Sequence, residues 1–258
     1  MLQIYPVCAF KDNYIWIIHN QHYAAVVDPG DAKPVMHYLE SKKLQLIAIL
    51  NTHYHKDHIG GNAILLENSL VPVYGSGNEP IPTLTHPVKD GGKIFLEKLS
   101  LNFSVLDIAG HTAGHIAYYG AANGAPILFC GDTLFACGCG RIFEGTAQQM
   151  YTSLQKLANL PDETLVYSAH EYTLSNISFA RTVEPGNSAL SAFEKKAKEL
   201  RKQDIPTLPS SITTEKATNP FLRCHHPDVI SSACSYANKT LSDPVDIFTE
   251  LRNWKDIF

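Results

Sequence analysis

Three histidines and one aspartate fall within six positions, His53-Tyr54-His55-Lys56-Asp57-His58, directly after the apolar run at 44–50. Such side chains are not gathered at the end of a buried strand unless they share a cation, because an unpaired buried charge carries a heavy desolvation penalty. Any fold for this chain must therefore bring a strand end to a metal site. Three more polar residues stand in comparable places. They are His111 in Ala109-Gly110-His111-Thr112-Ala113-Gly114-His115, Asp132 after the run at 126–129, and His170 after the run at 164–168. An α/β sheet presents ligands beyond the carboxyl ends of its strands, so all four clusters can converge on one mouth.

Two ions follow from the donor arithmetic. A zinc-like centre takes about four protein ligands when closed, or about three when it keeps a position for water. His53, His55, Asp57, His58, His111, Asp132 and His170 exceed one ion's needs. If one carboxylate bridges, seven residues supply eight donor positions, four per ion. Asp132 is the candidate bridge. Local geometry leaves the pairing open: an extended stretch groups His53 with His55 and sends Asp57 and His58 to a neighbouring centre, whereas a helical turn pairs His53 with Asp57 and His55 with His58. Imidazole and carboxylate donors without thiolate suit zinc first, with iron or manganese as alternatives. Cys137-Gly138-Cys139 is not counted as a ligand pair. His115, four residues after His111, stays open, and the isolated His19, His22, His37 and His86 and the His225-His226 pair read as ordinary residues.

Composition limits the function classes. The chain has 258 residues, 45% of them apolar and 18% charged, with Lys+Arg 21 against Asp+Glu 25, a net charge of −4. This is a globular balance, and the length predicts one large unit, or one large and one small. No apolar stretch approaches the roughly 18 residues of a membrane span. With no Lys/Arg run, nucleic acid is not expected as a partner. Met1-Leu2-Gln3-Ile4-Tyr5-Pro6 lacks the basic and long apolar regions of a secretory signal. Six cysteines in a chain this long do not suggest a disulfide framework. We therefore expect a cytoplasmic protein with reduced thiols, working as a monomer without membrane contact.

Strands are predicted at 14–18, 24–27, 44–50, 71–74, within 93–106, and at 116–119, 126–129 and 164–168, with helices at 32–42, 60–66 and 146–160. Residues 76–92, rich in Pro, Thr and Gly, read as a loop. From about 173 the pattern changes to helices at 173–183, 188–203, 227–237 and 244–254, with no comparable strand left. The expected division is a strand-rich unit at 1–170 and a helical unit at 171–258.

At these residues the sequence resembles the metallo-β-lactamase superfamily, whose hallmark is Thr-His-x-His-x-Asp-His after a strand. Within it the chain is most similar to the hydroxyacylglutathione hydrolases, or glyoxalase II family. The similarity runs through Asp12-Asn13-Tyr14, Gly110-His111-Thr112-x-Gly114-His115 and Gly131-Asp132-Thr133-Leu134-Phe135. It continues through Gly138-Cys139-Gly140-Arg141-x-Phe143-Glu144-Gly145-Thr146, His170-Glu171-Tyr172-Thr173, Phe179-Ala180-Arg181, Glu184-Pro185-Gly186-Asn187 and Asn219-Pro220-Phe221-Leu222-Arg223.

The resemblance implies an αββα sandwich, the metallo-β-lactamase-like catalytic domain at 1–170, followed by a smaller all-helical C-terminal domain at 171–258 that binds substrate. It implies one ion on His53, His55, His111 and Asp132, and a second on Asp57, His58, His170 and the shared Asp132, with Asp57 and Asp132 as the catalytic carboxylates. It places glutathione on Arg141, Phe143, Tyr172, Arg252 and Lys255. Phe143 stands where some members have Tyr, so a hydroxyl contact is absent here, and Arg141 stands where members often have Lys. The implied reaction is hydrolysis of S-D-lactoylglutathione to glutathione and D-lactate, a step of methylglyoxal detoxification.

The chemistry is consistent with that implication. A bound metal can lower the pKa of water from 15.7 to about 7, whereas a positioned general base contributes only about 10²–10⁴-fold. The glutathione part carries two carboxylates and one ammonium, and a protein at −4 must recognise it with local cations. Arg252 and Lys255, spaced i,i+3, share a helix face; a solvated helix terminus is the plainer reading of the same pair. Three rivals remain: a one-iron persulfide dioxygenase of the same superfamily, a nucleic-acid-processing hydrolase, and a metal-stabilised binding module. The long helical tail disfavours the first and the missing basic surface the second.

Overall fold

The structure is a computed structural model describing residues 1–258. Its first sheet contains β1 (Gln3–Ala9), β2 (Asn13–His19), β3 (Tyr23–Val27), β4 (Gln45–Leu50), β5 (Val73–Ser76) and β6 (His86–Val88), hydrogen-bonded in that order. Three helices accompany it: α1 (Ala32–Lys42), α2 (Lys56–Ile59) and α3 (Asn62–Asn68). The second sheet runs β14-β13-β10-β9-β8-β7, where β7 is Lys93–Leu96, β8 Leu101–Asp107, β9 Ile116–Ala122, β10 Ala125–Gly131, β13 Leu165–Ser168 and β14 Ser210–Ser211. A small hairpin of β11 (Leu134–Phe135) and β12 (Gly138–Cys139) follows β10, and α4 (Ala147–Ala158) precedes β13. The chain ends in α5 (Thr173–Val183), α6 (Ser188–Lys202), α7 (Ile212–Thr218), α8 (Pro227–Ala237) and α9 (Pro244–Ile257).

Alternation along β2 shows how the layers are built. Tyr14, Trp16 and Ile18 face the second sheet and pack with Phe103, Tyr118 and Phe129, while Ile15 and Ile17 face the other way, onto Val35 and Leu39 of α1. A period of two buries both faces of a strand only when something covers each side. The outer face of the second sheet is covered by α4 and the helical tail: Leu128 and Val166 share a core with Met150, Leu154, Phe179, Phe221 and Phe248. The result is the four-layer αββα arrangement, with the core continuous into residues beyond 170.

Several elements depart from expectation, among them the short α2 and the β11–β12 hairpin, which no periodic pattern announces. β1 is an edge strand paired antiparallel with β2, and its internal Pro6 obscured it. β6 breaks the expected loop at 76–92, pairing in parallel with β5. β14 and α7 occupy a stretch read as a break between helices, and β14 adds to the second sheet beside β13. Two residues carry too little pattern to announce a strand, so tertiary pairing alone makes one. The tail is fastened by side chains as well. Arg223 donates to both Glu184 oxygens (2.8 and 2.9 Å). Buried Glu215 accepts from Cys137 N (2.8 Å) and Asn219 Nδ2 (3.0 Å), and burial pushes its carboxyl up to about 7. All six cysteines are free thiols, and no helix is long and apolar enough to cross a membrane.

Candidate metal centre

The seven candidate ligands converge at one end of the sandwich, beyond the carboxyl ends of β4, β10 and β13 and in the loop before β9. His53 Nε2 and His55 Nδ1 lie 3.0 Å apart, and His55 Nδ1 lies 3.1 Å from His111 Nε2. Ligand nitrogens about 2.0–2.1 Å from a tetrahedral ion sit roughly 3.3–3.4 Å from one another, close to these spacings. On the other side, His58 Nε2 lies 3.4 Å from Asp57 Oδ2, and His170 Nε2 lies 3.5 Å from the same oxygen. Asp132 stands between: Oδ1 is 3.5 Å from His58 Nε2, and Oδ2 is 3.5 Å from His111 Nε2 and 3.3 Å from His170 Nε2. The structure thus gathers His53 with His55, the extended alternative. The backbone of His55 is extended (ψ 145°), and the helical turn of α2 starts only at Lys56.

The donor set fits divalent cations. His58 Nε2 and Asp132 Oδ1 are buried without a hydrogen-bond partner, which a folded protein rarely tolerates unless something else binds there. The opposite nitrogens are engaged. His58 Nδ1 is 3.1 Å from Asp28 Oδ2, His111 Nδ1 is 2.8 Å from the Arg141 carbonyl, and His170 Nδ1 is 2.9 Å from Asp12 Oδ1. Each partner is an acceptor, so it holds the proton on Nδ1 and frees Nε2 for a metal. Asp28 also accepts from Thr52 N (2.8 Å) and Thr52 Oγ1 (2.7 Å), and Thr52 Oγ1 lies 3.1 Å from His53 Nδ1. One carboxylate at the end of β3 therefore orients a histidine in each half of the site.

Electrostatics separates the two halves. Burial, with His58 and His115 nearby, keeps His53 well below the ordinary imidazole value, and burial also lowers His55 and His111. These three are neutral and can ligate. At His58 burial works downward, but Asp132 and Asp28 outweigh it and hold the imidazole well above its usual value. Burial alone would raise Asp132; His170 and His58 override it and keep the carboxyl ionised. A cation in place of those protons would serve the same carboxylate.

His115 is resolved by its partners. Its Nε2 accepts from Asp132 N (3.2 Å), its Nδ1 sits 3.2 Å from the Ile116 carbonyl, and its ring stacks on His53. Both nitrogens are spent on backbone, so it supports the site and offers no ligand atom. The turn at Asp132 needs Gly131, whose φ of +48° is left-handed and whose Cβ would meet Thr52 Oγ1 at 2.3 Å.

A cavity of about 750 Å³ opens from His55, Asp57, His111, Asp132 and His170 toward the helical tail. All five predicted substrate contacts line it: Arg141, Phe143, Tyr172, Arg252 and Lys255. Tyr172 stacks flat on His170 with ring centroids 4.7 Å apart, and exposed Phe143 leans its edge on His55 and His111. Arg252 is no solvated terminus. It is 5% exposed, donates from Nη1 to the Cys139 carbonyl (3.0 Å) and from Nη2 to Asp256 Oδ1 (2.9 Å). Lys255 is half-buried, and burial next to Arg252 lowers its ammonium to about 8.

Sequence reasoning missed the residues that orient the ligands. Asp12-Asn13-Tyr14 entered only as part of a resemblance, yet Asp12 holds His170 and Asn13 Nδ2 donates to Asp57 Oδ2 (3.0 Å), while Tyr14 donates to Glu171 (2.9 Å). Asp28 read only as the close of a strand; its position at a strand end in the ligand-bearing sheet was the available signal.

Residues 10–170 match the family model described as the metallo-beta-lactamase superfamily, and residues 171–258 match hydroxyacylglutathione hydrolase C-terminus. A hydroxyacylglutathione hydrolase of Nitrosomonas eutropha is 59% identical, with 100% of both chains covered. Among solved structures, ETHE1 from Myxococcus xanthus is 26% identical at a TM-score of 0.65, covering 100% of this chain and 99% of that one. TTHA1623 in a di-iron-bound form is 25% identical at a TM-score of 0.60, covering 84% of this chain and 100% of its own.

Proposed function

This chain belongs to the hydroxyacylglutathione hydrolase family of the metallo-β-lactamase superfamily, and from that premise we propose that it hydrolyses S-D-lactoylglutathione to glutathione and D-lactate at a binuclear metal centre. The observation that carries the reading is one cavity holding both the imidazole–carboxylate cluster and a set of cations suited to an anionic tripeptide. Divalent ions there supply an acidified water and a Lewis acid for the thioester carbonyl oxygen.

The residues divide the work. His53, His55, His111 and Asp132 hold one ion; Asp57, His58, His170 and Asp132 hold the other. Zinc is the ion proposed for this nitrogen and oxygen donor set, with iron supported by the di-iron-bound form of the similar TTHA1623. Asp57, half-exposed at the cavity floor, can also accept a hydrogen bond from water entering there. Arg141 and Lys255 face the substrate carboxylates, and Arg252 backs them from its buried place against Cys139. The Tyr172 hydroxyl donates to the peptide part, and Phe143 covers the imidazoles and offers only an apolar surface. Residues 1–170 thus hold the metals, apart from the cations and the aromatic that 171–258 add around the thioester. All of these groups come from one chain, so a single copy carries a complete site.

The test is metal content measured together with thioester cleavage. The purified protein should bind two ions per chain and cleave S-D-lactoylglutathione, lose cleavage to a chelator and regain it with zinc. Undiminished cleavage by metal-free protein would overturn the reading.

A further inference from the structure

Two carboxylates outside the ligand set link the same two ligand loops. Glu79, 6% exposed, lies in the segment between β5 and β6 and belongs to neither loop. Its Oε2 accepts from Tyr54 N (3.0 Å), and its Oε1 accepts from Thr112 Oγ1 (2.7 Å) and Gly114 N (2.8 Å). The approach is close enough that a Cβ on Gly114 would meet Glu79 Oε1 at 2.8 Å. Glu144, on the exposed side, repeats the pattern: it accepts the Tyr54 hydroxyl on Oε1 and Ala113 N (2.9 Å) on Oε2. Tyr54, the residue between His53 and His55, is thus held by its backbone from within and by its side chain from without. Residues 112, 113 and 114, directly after His111, are each held by one of the same two carboxylates.

We propose that Glu79 and Glu144 are positioning residues, a clamp that sets the His53–His55 turn against the His111 loop so that three imidazole nitrogens meet before metal arrives. Every group facing Glu79 is a donor, two N–H and one O–H, so an amide in its place must point an N–H₂ at a donor. Glu144 has a further consequence. It follows Arg141 and Phe143 in sequence, and the Arg141 carbonyl already accepts from His111 Nδ1 (2.8 Å). The segment carrying two proposed substrate contacts is therefore registered on the metal loops at both of its ends. The clamp touches only the His53, His55 and His111 half; Asp57, His58 and His170 depend on Asp28, Asn13 and Asp12 instead.

The inference rests on the two-ion reading, and metal affinity tests it without turnover. Metal-free wild type, Glu79→Gln, Glu144→Gln and Tyr54→Phe are titrated with Co²⁺ against a competing chelator, following the cobalt absorption bands. Glu79→Gln should weaken one of the two equivalents by about 10–100-fold, in the range typical for groups that orient metal ligands, and leave the other unchanged. Glu144→Gln and Tyr54→Phe should each weaken the same equivalent by a smaller factor, Glu144→Gln at least as much as Tyr54→Phe because it also faces Ala113 N, and the double variant should be no worse than Glu144→Gln alone. Thermal unfolding of the metal-free Glu144→Gln protein should match wild type. If Glu79→Gln does not fold, the two surface variants decide. Unchanged affinity at both equivalents, or equal weakening of both, would sink the clamp. A wild-type chain that takes up one ion overturns the two-ion reading alone, and the clamp then stands only if the variants weaken that ion.

Discussion

The proposed metal half and the proposed glutathione half of the cavity are built on opposite principles. In the metal half five of the seven proposed ligands are buried, His55 and Asp57 being partly exposed, and the nitrogen facing away from the site is tied at His53, His58, His111 and His170, while His58 Nε2 and Asp132 Oδ1 face the site without partners. In the other half Arg141 and Lys255 are partly exposed, Arg252 is buried, and all three are partly satisfied by the protein itself. Arg141 and Arg252 share Asp256 (3.5 and 2.9 Å), and Lys255 lies over the rings of Phe179 and Phe258. A small ion with directional bonds needs atoms fixed in advance. A flexible tripeptide thioester that must enter and leave is better served by charges that give way.

That contrast can be broken at several points. The largest effect is expected at Asp132→Ala, which removes the only carboxylate facing both groups: turnover should vanish and bound metal fall below two ions per chain. Near-normal rates at matched metal content would contradict the shared ligand. Asp28→Asn comes next. Asn tolerates the positive φ of +50° at this position, but it places an N–H₂ among three donors, so metal affinity should drop about 10–100-fold while KM at saturating metal changes little. An unchanged affinity would show that Asp28 only closes the strand.

Lys255→Ala should raise KM about tenfold or more with kcat nearly intact, as for loss of one charge-assisted hydrogen bond. A selective fall in kcat would place Lys255 in the chemistry. Arg252→Ala should raise KM as well, and in addition lower the melting temperature, because it strips the Cys139 carbonyl and Asp256 of a buried partner. The smallest effect is one of pH. The Lys255 ammonium in the free protein is held near 8 by burial and Arg252. Its charge is present below that pH and lost as pH rises through it, so kcat/KM should fall across pH 8, never by more than Lys255→Ala costs. A Lys255→Met variant should lose this limb of the profile, and a profile that keeps it assigns the titration to another group.

The legible part of the molecule was the part with strong pattern. The β-strands at 13–19, 45–50 and 125–131 and the helices at 173–183 and 244–257 carry long apolar periods, and the ligand clusters follow three strands directly. β1, β14 and α7 were not legible. An edge strand broken by proline, a two-residue strand and a seven-residue helix hold too few residues for a period to emerge, and they exist because neighbours already in place pair with them. The same holds within the site. A run such as His53-x-His55-x-Asp57-His58 announces metal by its own density, whereas Asp12, Asp28, Glu79 and Asp256 are single acids on separate segments, indistinguishable in sequence from surface acids.

What the sequence determined by itself was the kind of atoms available and their order along strands that must be buried: imidazole and carboxylate at strand ends, aromatics and cations in the later segments. Only the tertiary structure decided which nitrogen of each imidazole faces the site, that His115 spends both of its nitrogens on the backbone, and that Arg252 is a buried strut. The physical reason is that hydrogen-bond partners distant in the chain set those choices, and a linear pattern records only near neighbours.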